Sequence, residues 1–193
     1  MTDVLTPFDD AASTEAAVEA TRHWLEAAVI GLNLCPFAKA VHVRRQIRWA
    51  VTAASTAEDL LAELRRELAL LADADPQAID TTLLIHPRAM TDFLDYRFFL
   101  DDAQRALRKL GYEGLLQLAS FHPDYEFADT APDDVANCTN RSPHPMLHLL
   151  RESSIDRAVA AYPDAEAIYA RNVETLRGLG HEGWRRLLAS GRG

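Results

Sequence analysis

The chain has 193 residues, of which 48% are apolar and 25% charged, enough for a single domain with a sizeable core. Its net charge of −9 argues against a general nucleic-acid binder, which needs a basic face. No apolar run approaches the roughly 18 residues of a membrane span.

The start, MTDVLTPFDDAAST, lacks both a basic and an apolar signal region, so a cytoplasmic protein with reduced cysteines is expected. The two cysteines show no zinc-finger spacing, and no nucleotide-binding motif is present.

Residues 1–12 read as a loose leader, and 13–193 as one domain. A helix is predicted from Ser13 or Thr14 to Ile30, with Gly31 as its stop. In VRRQIRWAVTAA, Ile47, Trp49 and Val51 alternate with Arg48 and Ala50, the period of a strand. Ser55 and Glu58 have capping-box spacing and open a helix to about Ala72. DTTLLIHP is a second strand. A helix spans about Asp92 to Leu110 and stops at Gly111. GLLQLASFHP is a third strand.

Strand, helix, strand, helix, strand is the pattern of right-handed crossovers. It predicts an α/β fold with a small, mostly parallel sheet of three or four strands packed with helices. The polar loop from Pro123 to Pro145 is long enough to read as a lid or binding loop. A helical C-terminal region is expected to follow: Pro145 to Glu152, Ser154 to Tyr162 with Ser153 and Asp156 as its cap, Pro163 to Leu176, and a last short helix with Trp184.

Two strands end alike, in Ile85-His86-Pro87 and Phe121-His122-Pro123. Proline cannot continue a ladder, so each strand stops just after its histidine. If these strands run the same way, His86 and His122 emerge at one carboxyl edge, where open α/β sheets bind ligands. The mundane use for each histidine alone is to satisfy loop carbonyls at a strand end. Asp124, two residues on, can orient His122 or join a metal, or simply be a solvated loop acid.

In NRSPHPMLHLLRE, a helix from Pro145 places His148, Arg151 and Glu152 on one face. Asn140 and Arg141 precede that helix, whose amide end favours anions, and Arg141 and Arg151 have the fork geometry for a carboxylate or phosphate. A solvated helix face is the alternative. Cys35 before Pro36 fits an N-cap with proline in the first helical position. There it is either a thiol of lowered pKa or a small buried residue.

The runs LNLCPFAKA, DTTLLIHP, ASFHPDYEFA, APDD and TNRSPHPMLHLLRE together resemble the bacterial domain of unknown function 1415, from about Arg22 to Trp184. The resemblance implies a soluble protein and brings no activity with it. It covers Cys35, Pro36, His86, His122, Pro123, Asp134, Asn140, Arg141, His148, Arg151 and Glu152. His144 replaces an expected tyrosine and Cys138 an expected aromatic residue. Both departures weaken a His144–His148 chelate and a Cys35–Cys138 disulfide.

The leading expectation is a metal-dependent enzyme. His86, His122 and His148 would hold a divalent ion with an open position. Cys35 or Asp124 would serve as a fourth ligand or acid/base group. Asn140, Arg141 and Arg151 would bind a small anionic substrate. The alternatives are a metal-free cysteine/histidine enzyme and a non-catalytic module for a small anion or a protein. No nucleic-acid or membrane partner is expected, and the sequence assigns no oligomeric state.

Overall fold

A computed structural model describes residues 11–161 and 167–189. Most of the expected leader and the Pro163 helix start lie outside them. In chain order the elements are α1 (Ala11–Trp24), a π-helical turn (Leu25–Ile30), α2 (Ala38–Val43), β1 (Ile47–Val51), α3 (Ala57–Asp73), β2 (Thr81–Ile85), α4 (Phe93–Lys109), β3 (Leu116–Phe121), a 3₁₀ turn (Val135–Thr139), β4 (Met146–Arg151), α5 (Glu152–Ala160) and α6 (Ile168–Ala189).

The sheet order is β1-β2-β4-β3. β1 and β2 are parallel. β4 runs antiparallel to both of its neighbours, β2 and β3. The expected mostly parallel sheet is therefore corrected: one pair is parallel and two are antiparallel. The cause is residues 146–151, a strand rather than the expected helix. MLHLLR is buried or partly buried throughout, so it lacks the alternation that marks a half-exposed strand, and a short apolar run reads equally as either element. Pro145 fits the position before a strand as well as the start of a helix.

Each face of the sheet carries a helical layer. On one, Leu60, Leu64, Leu68 and Leu71 of α3 and Tyr96, Phe99, Ala103 and Leu107 of α4 cover Ala50, Leu84, Leu116, Leu147 and Leu149. The four α3 leucines recur at helical spacing and are 0% exposed; each contributes roughly 2 kcal/mol by leaving water. On the other face, Ala17 and Trp24 of α1, Leu25, Ala28 and Val29 of the π turn, and Leu176 and Trp184 of α6 cover Leu83, Ile85 and Met146.

Local chemistry sets the element ends. The expected Ser55–Glu58 box is displaced by one residue, because the Asp59 amide donates to Thr56 Oγ1 at 3.1 Å. α5 begins at Glu152 without a side-chain cap, so Ser153 and Asp156 do not cap it; Ser154 instead donates to Asp80 Oδ1 at 2.6 Å. Gly31 does close the first helix, by way of the π turn: its amide bonds Glu26 O at 2.9 Å, and a Cβ there would stand 2.3 Å from Ala27 O. α4 stops where Gly111 adopts φ 76°, a left-handed conformation that glycine takes without strain. α6 is broken at Gly180 (φ 68°), which separates the expected last segment with Trp184.

The sheet is also tied to α3 by charge. Arg48 of β1 donates from Nε and Nη2 to the two carboxylate oxygens of Glu67, at 2.7 and 3.0 Å. Glu67 is 2% exposed. Removing one partner of such a pair leaves a buried charge uncompensated. Arg48→Ala is expected to lower unfolding free energy by about 3 kcal/mol in a denaturant titration at pH 7. A loss below about 0.5 kcal/mol, the ordinary value for a surface substitution, would contradict the role given to this pair.

Candidate functional site

β2 and β3 run in the same direction although they are not neighbours, because each is antiparallel to β4. Ile85 and Phe121 both register with Met146, and the next residues, His86 and His122, reach one sheet edge. Both are fully buried. They flank the ring of Tyr96 from α4, with centroids 5.8 and 5.2 Å away. The Tyr96 hydroxyl donates to Met146 O at 2.8 Å and accepts from the Phe121 amide at 3.2 Å. It supplies backbone partners where the strands end.

The histidines work for the backbone as well. His86 Nδ1 donates to Ala89 O at 2.9 Å. His122 Nε2 donates to Met90 O at 3.2 Å, and its Nδ1 accepts from the Asp124 amide at 3.0 Å. Both His122 nitrogens are thus used. His86 Nε2 is sealed in without a partner among the described residues. Burial dominates the titration of both: it lowers His122 and pushes His86 down to about 4. Asp124 itself is exposed, and its charge opposes the lowering at His122.

His148 lies on the opposite face. It registers with Leu83 and Ala119, so strand alternation turns it away from Leu147 and Leu149. The proposed set of His86, His122 and His148 is therefore divided by the sheet itself. Among the described residues, no three His, Cys, Asp or Glu side chains stand together as a metal site.

The expected anion-binding residues tie backbone instead. Asn140 Nδ2 donates to Ser120 O at 3.0 Å. Arg141 donates to Tyr125 O and Pro132 O at 3.1 and 2.9 Å. Arg151, 5% exposed, donates from Nη2 to Leu71 O and Ala74 O at 2.6 and 2.7 Å and from Nε to Ile79 O at 3.3 Å. It gathers the open carbonyls at the end of α3. The 123–145 loop is held down too: Asn137 receives the Phe127 amide and the Thr130 hydroxyl at 3.1 and 2.6 Å, and α6 engages Asp133 and Asp134 through His181 and Arg177.

What His148 does face is a cavity of about 540 Å³, within the size range of small-molecule sites. Thr81, Leu83, Phe121, His148 and Leu150 contribute from the sheet, and Trp24, Leu25 and Val29 from α1 and the π turn. Cys35, Phe37 and Val41 belong to the turn and α2, and Ile155 and Ala158 to α5. The π turn brings Leu25 and Val29 to this wall, a placement common for such turns at functional sites.

On the sheet side, the wall holds an oriented polar pair, Thr81 and His148. Thr81 Oγ1 donates its single proton to Leu149 O at 2.6 Å. It lies 2.7 Å from His148 Nε2 and must accept there, which puts the ring proton on Nε2. Nδ1 is left as an unprotonated acceptor, and the partly accessible ring lines the cavity. Burial pushes His148 down to about 4, so it is neutral at pH 7. Burial also raises the Cys35 thiol, outweighing the Phe37 and Ala38 amides that lower it. Cys35 sits before α2 but is not its cap, because the helix begins at Ala38 with Phe37 in the cap position. The two groups share a cavity wall as neutral thiol and neutral imidazole.

Residues 16–186 match the sequence profile of the family described as Protein of unknown function (DUF1415). The chain belongs to that family. Neither the curated proteins nor the solved structures contain a match. For this DUF1415 member, the residues that sequence reasoning missed are Thr81, Phe37, Leu83 and Phe121. The available signal was the Thr81-Thr82 pair opening a strand that ends in aliphatic residues, but the link of Thr81 to His148 depends on β4 being a strand.

The buried imidazoles make stability depend on pH. Unfolded histidine titrates near 6.5, whereas His86 and His148 titrate near 4 in the fold. Between these values the unfolded chain binds more protons, so stability is complete above about pH 6.5 and falls as pH falls toward 4. By pH 5 each histidine accounts for a loss of about 2 kcal/mol. Denaturant midpoints at pH 7.5 and pH 5 measure it: wild type drops, and His86→Phe drops less. An unchanged midpoint across this window contradicts the buried neutral state.

Proposed function

We propose that the chain binds a small, largely apolar molecule in the cavity between the sheet, the π turn, α2 and α5, with His148 as the group that orients it. What supports this reading is the free acceptor at His148 Nδ1, fixed by the Thr81 relay and set in a mostly aliphatic and aromatic wall. Apolar enclosure provides the driving force for binding, and one fixed polar group supplies orientation. A ligand O–H or N–H meeting Nδ1 regains the hydrogen bond that it loses on leaving water.

The neutral state of His148 matters for this role. At physiological pH it presents a lone pair rather than a charge, so it accepts from a neutral donor. Cys35 adds a soft, polarisable contact to the same wall.

A neutral, environment-sensitive naphthalene dye tests the reading. Its fluorescence rises at one site per chain, and Ala158→Trp, which places an indole in the cavity, weakens binding at least ten-fold. Phe98→Ser, on the exposed side of α4, leaves binding unchanged. If the dye is not held, or is held equally by Ala158→Trp, the cavity is not the binding site.

A further inference from the structure

We infer that the ligand of this cavity is an amphipathic organic acid, with a carboxylate at the mouth facing Arg44 and Arg157 and a hydrogen-bond donor at its buried end for His148 Nδ1. This rests on the cavity reading above and adds the ligand's chemical class.

The charged groups lining the cavity are Arg44, Arg157 and Asp80, a formal charge of +1 in a chain of net charge −9. A positive opening on an acidic protein concentrates anions locally and repels cations. Asp80 is already engaged, since its Oδ1 accepts from Ser154 Oγ at 2.6 Å. Arg157 spends one Nη2 donor on the same Ser154 oxygen, at 2.9 Å, and a guanidinium has five donors. Arg44 is exposed and makes no side-chain hydrogen bond or ion pair among the described residues. Both arginines are therefore available, unlike Arg141 and Arg151, whose bonds go to the backbone.

The interior sets the rest of the ligand. Leu83, Phe121, Trp24 and Val29 admit a hydrocarbon or aromatic body and leave a second charge unsolvated. His148 Nδ1 accepts and does not donate, so it favours an alcohol, phenol or amide N–H over an ether or ketone. A compact dianion such as phosphate satisfies the mouth and wastes the apolar wall. A neutral lipid fills the wall and leaves the guanidinium groups unused. An acid with one buried donor uses both ends.

Calorimetry with para-hydroxyphenylpropionate, phenylpropionate and the methyl ester of the first compound tests this, because the three differ only at the two ends. The hydroxy acid is expected to bind about five-fold more tightly than either relative, the yield of one net hydrogen bond or exposed ion pair. Arg44→Gln with Arg157→Gln, both at exposed positions, erases the advantage over the ester and keeps that over phenylpropionate. His148→Gln does the reverse. If the ester binds as well as the acid, or the acid's advantage survives loss of both arginines, the acid class is overturned while the cavity reading stands. If the naphthalene dye is also not held, both fall together.

Discussion

The structure turns on β4, a strand inserted antiparallel between two strands that run the same way. It registers residue for residue with β2 and β3, so every side chain it carries is committed to one face or the other. Leu147, Leu149 and Arg151 go toward α3 and α4, whereas Met146, His148 and Leu150 go toward α1 and the cavity. A slip of one residue would exchange the two sets. It would bury Arg151 away from the carbonyls of Leu71, Ala74 and Ile79 and take His148 from Thr81. Polar anchors on both faces hold this register more firmly than hydrophobic pairing alone.

That insertion gives the histidines different work. His86 and His122 close the sheet edge around Tyr96, where strand-ending prolines would otherwise leave loop carbonyls unpaired. Their hydrogen bonds run to Ala89, Met90 and Asp124, all backbone groups. His148 is held by a side chain, Thr81, and keeps one nitrogen for whatever enters the cavity. Burial keeps His86 and His148 neutral at pH 7, with different consequences. At His86 neutrality preserves stability, and at His148 it also makes the ring an acceptor.

Much of the scaffold was legible in the sequence. The α3 leucines, the alternation around Trp49 and the matching ends of DTTLLIHP and LASFHP all report local periodicity, whereas the shared edge of His86 and His122 also required that β2 and β3 run the same way, which β4 establishes by pairing antiparallel with both. β4 was not legible, because MLHLLR is covered on both faces and carries no period. That single ambiguity displaced the candidate site. Read as a helix, the segment put His148 beside Arg151 on one surface; as a strand it sends them to opposite sides of the sheet. The roles of Asn140, Arg141 and Arg151 were hidden for a related reason, since the carbonyls they bind lie 9 to 80 residues away along the chain and leave no local residue pattern. The cavity comes from five separated segments and has no local signature. Cys35 was noticed through its proline, whereas Thr81 acquires meaning only opposite His148.

The cavity's chemistry rests on His148 being a neutral imidazole, protonated on Nε2, with Nδ1 open to the cavity. Long-range proton–nitrogen correlation spectra of the histidine rings, assigned with His148→Gln and recorded from pH 5.5 to 8, measure this directly. His148 is expected to show one unchanging Nε2–H tautomer through that range. A ring that carries its proton on Nδ1, or becomes doubly protonated near pH 6.5, would contradict it.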